Sequence, residues 1–166
     1  STQKGYVDHI LRAGQHLMGV VNDVLDLQQV EAGVVSLKPE PIPLKAEVQE
    51  CMAMLGPMAE PRHVLMSSKI GPEWTVFADK QRLRQVLMNI GSNAIKYNQS
   101  GGDVQFSAQL DDGGALALTI ADSGSGMSAQ QLGRLFNPFE RLGRETSSVE
   151  GTGLGLIITR SLIEAM

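Results

Sequence analysis

Residues Asp79 to Tyr97 read DKQRLRQVLMNIGSNAIKY, and this stretch decides the fold. Asp79 is a good helix N-cap, and Leu83, Val86, Leu87, Ile90 and Ala94 recur at three- and four-residue spacing, which predicts a helix with one apolar stripe. A different face carries Asn89, Asn93 and Lys96 at i, i+4 and i+7, with Tyr97 beside them. Two carboxamides and an ammonium in one line suit a hard divalent cation and phosphate charge, which is what a magnesium nucleotide demands. The same face also reads as a plain solvated surface, because Asn and Lys are common on exposed helices.

Upstream of this helix, Thr2 to about Ala32 contains no proline and keeps coiled-coil-like spacing at Val7, Ile10, Leu17, Val21 and Val24. A long helix with a partner-seeking face is expected, stopped by Gly33 and cut from something longer. Pro39, Pro41 and Pro43 place a domain boundary in residues 34–43, as a short edge strand or linker. A second helix is expected from Leu44 to about Leu55, ending at Gly56 and Pro57, followed by strands at His63 to Ile70 and Trp74 to Phe77. Downstream, Val104, Phe106 and Ala108 alternate with polar neighbours, Asp111 to Gly114 make a hairpin turn, and Ala115 to Ala121 form the returning strand. The chain is then Gly- and Ser-rich to Gly151, with a short helix around Ser128 to Phe136, and a last helix begins near Thr152.

Length and composition bound what this can be. The 166 residues suit one domain with room for an appended element, and 42% hydrophobic against 19% charged residues argues for a packed core. A net charge of -4, with no basic run, speaks against a nucleic-acid surface. Cys51 is the single cysteine, so an internal disulfide is impossible and a reducing cytoplasm fits best. No apolar run approaches the roughly 18 residues that span a bilayer, so no membrane contact by this segment is expected.

Two glycine motifs point to a nucleotide. Asp122-Ser123-Gly124-Ser125-Gly126 follows a predicted strand, placing a carboxylate at the strand end and then glycines that let a planar base approach the backbone. A simple Asp-Gly turn is the competing reading. Gly151-Thr152-Gly153-Leu154-Gly155 opens a helix, where free backbone N–H groups favour an anion. It lacks the Gly-Lys-Ser/Thr ending of the P-loop, and its spacing is not the dinucleotide GxGxxG.

Together the motifs resemble those of sensor histidine kinases. Asn89 to Tyr97 is similar to the family's N box, Asp122 to Gly126 to its first glycine box, Leu135 to Arg141 to its F box, and Gly151 to Gly155 to its second glycine box, all in family order. Leu17 to Gly33 resembles the second helix of the dimerisation and phosphotransfer domain. The resemblance implies an α/β fold, a two-layer α/β sandwich of the Bergerat ATP-binding type with helices on one face of a mixed sheet. It divides the chain into the dimerisation helix (residues 1–33), the linker or edge strand (34–43) and the catalytic ATP-binding domain (44–166). ATP and Mg2+ are the implied ligands. Asn93 is then the main Mg2+ ligand with Asn89 assisting, and Lys96 contacts phosphate. Tyr97 packs near adenine, Asp122 accepts from its amino group, and Gly124 and Gly126 make room for the ring. Residues 127–150 become an ATP lid anchored by Phe136 and Phe139, plain core packing being the alternative for both, and Arg141 reaches the terminal phosphates. Gly151 to Gly155 form the phosphate loop, with main-chain contacts from Thr152, Gly153 and Leu154.

Related ATPases such as gyrase B and the heat-shock chaperones carry a glutamate where Asn89 stands. A carboxamide cannot act as a general base, which favours phosphotransfer over hydrolysis. The family's phosphoaccepting histidine lies in an H box that His9, His16 and His63 do not match, so binding of ATP without self-phosphorylation is expected. Family members usually continue into two further strands, and ending at Met166 is expected to leave an open sheet edge. Implied partners are a second copy through the N-terminal helix and a response regulator receiver domain. The alternatives are a noncatalytic nucleotide- or partner-binding module and a self-sufficient ATPase of the same fold.

Overall fold

The computed structural model describes residues 2–31, 36–140 and 152–166. Helix α1 (Thr2–Glu31) leads into β1 (Pro39–Pro43), α2 (Leu44–Ala59), a 3-10 turn (Glu60–Arg62), β2 (Leu65–Lys69) and β3 (Thr75–Asp79). Helix α3 (Lys80–Lys96), the hairpin β4 (Asp103–Leu110) and β5 (Leu116–Asp122), α4 (Ala129–Arg134) and α5 (Gly155–Ala165) follow. Gly33 and Val34, where the sequence places a helix stop and a domain boundary, lie outside the described residues.

Helix α3 forms where its sequence predicts it. The Asp79 carboxylate accepts from the Arg82 backbone N–H at 3.0 Å, filling one orphan donor of the first turn, and its other oxygen accepts from Lys38 N at 2.9 Å. The helix serves two apolar clusters. Leu83, Leu87, Ala94 and Ile95 join Leu44, Val48, Cys51 and Leu55 of α2 and Val104 and Phe106 of β4 in the main core. Val86 and Ile90 turn toward Leu154, Ile158 and Leu162 of α5, with Val24 of α1 packed beside them.

The sheet is mixed, in the order β2-β4-β5: β2 runs parallel to β4 and β5 antiparallel to it, with Val104 opposite Asp122. Val104 and Phe106 are fully buried while their neighbours are not, so one face of β4 meets the helices and the other faces outward, giving the two-layer sandwich. β1 pairs antiparallel with β3 as a separate ribbon, Ile42 opposite Val76. Backbone N–H groups alternate sides along a strand, so the three prolines of β1 remove donors from one edge only.

Three boundaries differ from the sequence expectation. Helix α2 does not stop at Gly56 and Pro57 but continues to Ala59, because Leu55 and Ala59 are both core residues one turn apart and Glu60 N still bonds to the Gly56 carbonyl. His63 is not a strand residue: it adopts a left-handed φ of 55° as the cap of the 3-10 turn, its N–H on the Glu60 carbonyl at 3.0 Å, and the strand begins at Leu65. Helix α5 starts at Gly155, after a turn formed by residues 152–154, rather than at Thr152.

A buried charge ties α2 to α3. Glu47 is 2% exposed and receives Arg84 Nε at 2.5 Å and a second guanidinium nitrogen at 3.0 Å, with Lys80 Nζ at 3.8 Å. Burial first, then the neighbouring Glu47 carboxylate, pushes the Cys51 thiol up to about 11, so it stays protonated at neutral pH and belongs to packing.

Two outcomes follow for stability. Arg84→Met strips Glu47 of its bidentate partner and is expected to cost about 3 kcal/mol in urea unfolding, the cost of breaking a buried pair from one side. Asp79→Ala is expected to cost about 1 kcal/mol at pH 7. The backbone N–H bonds from Lys38 and then Arg82 hold the Asp79 carboxyl below its ordinary value. Its contribution is therefore present above the unfolded-state value and lost as pH falls through the lower folded-state one, so wild type and variant converge in strong acid.

Candidate nucleotide site

A cavity of about 700 Å³ opens between α3, α5 and the segment that follows β5. Asn89, Asn93 and Lys96 line it from α3 and Tyr97 from its C-cap, Asp122 from the end of β5 and Gly126 from the loop after it, and Thr152, Gly153 and Gly155 from the entry to α5. Three separate sequence motifs therefore meet on one concave surface. Arg141 and Gly151, also expected here, lie outside the described residues.

Each element places its group for a local reason. Asn89 and Asn93 are one turn apart, on the side of α3 turned from the main core. Asn89 donates through its amide nitrogen to the Gly155 carbonyl and to Thr159 Oγ1, the latter at 2.8 Å, so it joins α3 to the first turns of α5. Asp122 is oriented by its own turn, its Oδ1 accepting from Gly124 N at 2.8 Å. A Cβ on Gly124 would lie 2.7 Å from both that oxygen and the Tyr97 carbonyl, so only glycine lets this turn lie against the end of α3. The close approach there is to the protein's own backbone; Gly126, not Gly124, lines the cavity.

At the other end, Gly153 has a φ of 74°, and a Cβ there would meet the Phe139 backbone at 2.8 Å. The main chain of Phe139, itself at φ 61°, thus lies against Gly153, while its ring is 64% exposed and outside the cavity. Phe136 is also exposed, with the Arg160 guanidinium 5.3 Å from its ring centroid. Core packing is therefore not the role of either ring. Leu154 has a fully buried side chain in the smaller apolar cluster, and its N–H is engaged by Thr152 Oγ1 at 3.2 Å.

The lining also includes residues that motif reading passed over. Met54 and Met58 of α2, Met88 of α3, Met127, Ile120 and Leu135 give the cavity an apolar part. Thioether side chains adapt to flat ligands, but Met54 and Met58 at i and i+4 read as core from sequence alone. Gln131 joins the cavity from α4, whose Ser128 and Gln131 form a reciprocal capping box; the Ser-x-x-Gln spacing could have signalled it. Glu140 is held by Arg134 at 2.7 Å, folding residues 134–140 back on themselves. Asp23 of α1 completes the lining, and its carboxylate accepts from Thr152 Oγ1 at 2.7 Å. Lys96 is the basic residue among the described lining residues.

The chemistry of the cavity is that of a flat base with a phosphate tail. A carboxylate acceptor, apolar side chains, an ammonium, two carboxamides and the N-terminus of an eleven-residue helix share its lining. Among the described residues, no helix is long and apolar enough to cross a membrane.

Comparison with known proteins agrees. Residues 78–166 match the family described as histidine kinase-, DNA gyrase B-, and HSP90-like ATPase. An uncharacterized sensor-like histidine kinase of Rhizobium meliloti is 37% identical over 164 residues, covering 98% of this chain and 31% of that protein. The cell-division control histidine kinase PdhS of Brucella suis is 31% identical over 172 residues, covering 98% of this chain and 17% of that protein. The chain thus spans less than a third of the length of these relatives. The structure of full-length ShkA in complex with AMPPNP resembles it with a TM-score of 0.83 and 31% identity, over 100% of this chain and 34% of that one. The Acinetobacter baumannii histidine kinase AdeS does so with 0.81 and 25%, over 96% and 73%. The chain belongs to the histidine kinase-, DNA gyrase B- and HSP90-like ATPase family, as an ATP-binding domain of the sensor histidine kinase type.

Proposed function

We propose that this chain binds magnesium ATP in the cavity and presents the γ-phosphoryl group to a histidine supplied from outside residues 1–166. The observation that carries this reading is the convergence of Asp122, Asn93 with Lys96, and the entry to α5 on one cavity. Asp122, whose Oδ1 is held by Gly124 N, is assigned the exocyclic amine of adenine, with Ile120 and the methionines of the lining assigned to the ring and Tyr97 near it. Lys96 and the α5 N–H groups offset phosphate charge, and Arg141 is assigned the terminal phosphates by its place in the F box.

The donor set fits a magnesium ion, since Asn93 and Asn89 offer neutral hard oxygens that leave most of the coordination to phosphate and water. When bound there, the ion would bridge phosphate oxygens and neutralise charge that builds in transfer. Asn89 cannot take a proton from water, and its amide hydrogens are already given to α5, which supports transfer over hydrolysis.

We assign residues 1–33 to a dimerisation helix, because Tyr6, Val7, Ile10, Leu11, Leu17 and Met18 form exposed apolar surface on α1. A second copy of the chain is the expected occupant in the parent protein, and a response regulator receiver domain the expected recipient of the phosphoryl group. Residues 34–43 are assigned to the link between the helix and the catalytic part, residues 44–166.

Calorimetric titration tests the site. Wild type is expected to bind magnesium AMPPNP, Asp122→Ala to lose about 100-fold or more as the acceptor that the base would cover is removed, and Asn93→Ala to lose magnesium-dependent affinity. Equal affinity of Asp122→Ala and wild type would remove adenine from the reading. Incubation with labelled ATP is expected to give no steady phosphate release, but label on an added H-box dimerisation domain; rapid release by the chain alone would instead favour the ATPase.

A further inference from the structure

We propose that Asp23 of α1 occupies the phosphate end of the cavity as a competitor of the nucleotide, so that docking of α1 and binding of ATP oppose one another. This rests on the ATP reading above and adds a device that sets affinity.

The Thr152 hydroxyl has both of its roles filled. It donates to Asp23 Oδ2 at 2.7 Å and accepts from Leu154 N at 3.2 Å. A phosphate oxygen arriving at the Thr152 hydroxyl meets a donor that α1 already holds, in a hydroxyl that also occupies Leu154 N. Asp23 also brings a carboxylate into the lining that Asn89, Asn93, Gly153 and Gly155 share, at Thr152 where the entry to α5 is suited to anions. Two anionic groups in one cleft disfavour each other.

The attachment of α1 is of a kind that can be released. Asp26, one turn from Asp23 and on the same side, accepts from Arg82 at 3.1 Å and from Gln85 at 2.7 Å, while Val24 packs beside the α5 cluster. All of these positions are partly exposed, so each polar contact contributes little on its own. Linkage makes the effect reciprocal: whatever α1 docking costs ATP, ATP costs α1 docking.

The sign of one measurement separates this from the other role open to Asp23, a cation ligand. In calorimetry with magnesium AMPPNP on the 166-residue chain, Asp23→Ala is expected to bind roughly tenfold tighter than wild type, within the usual range of coupling between sites. Asp26→Asn, which loosens the same docking from outside the cavity, is expected to tighten binding by a smaller factor. Nucleotide is expected to speed hydrogen exchange at the amides of residues 20–28 in wild type, with β4 protection unchanged as evidence that each variant is folded. Unchanged or weaker binding by Asp23→Ala, with wild type binding normally, overturns the competition. Absence of binding by wild type overturns the nucleotide reading and this coupling with it.

Discussion

Asn89 donates its amide hydrogens to α5, one to the Gly155 carbonyl and one to the Thr159 hydroxyl, and that pair of bonds ties together two of the helices that line the cavity. Helix α3 carries the carboxamides and Lys96; α5 carries the backbone N–H groups suited to phosphate. Without a polar clamp between them, only Val86 and Ile90 against Leu154, Ile158 and Leu162 would set their separation. Apolar contact fixes distance loosely, whereas two directed bonds from one planar amide fix rotation as well. Thr159 is nearly buried, so losing its partner would strand a hydroxyl at about 1–3 kcal/mol.

The rest of the molecule holds α3 so that this clamp can work. Asp79 caps its start, Glu47 grips Arg84 from α2, and the main core beneath it packs on the inner face of β4. One helix thus faces three ways: toward the sheet, toward α5, and toward the cavity. Its alignment with α5 also sets the place of α1, because Val24 fills the edge of the smaller cluster and Asp26 reaches the first turns of α3. The cavity and the N-terminal helix are consequently joined at Thr152, a lining residue that bonds to α1.

Much of this was legible in sequence because it is local. The Asp79 cap, the stripe on α3, the hairpin at Asp111 to Gly114 and the polar line of Asn89, Asn93 and Lys96 each depend on residues within a few turns of one another. What was not legible depends on distant partners. Nothing near Gly124 announces that the Tyr97 carbonyl lies where its Cβ would be. Met54 and Met58 show the same spacing whether they fill a core or face a cavity. The continuation of α2 through Pro57 is decided by burial of Leu55 and Ala59, which outweighs the local stop signal. The bond from Thr152 to Asp23 spans 129 positions and has no local signature at all.

The central claim is that one cavity takes adenine at Asp122 and phosphate at the entry to α5. Amide hydrogen exchange with and without magnesium AMPPNP tests it most directly, since it reads both ends at once. The account predicts added protection in residues 120–126, 89–97 and 152–158 together, with β1 and β3 unchanged. Protection confined to one of these segments, or appearing at the β1–β3 ribbon instead, would contradict it.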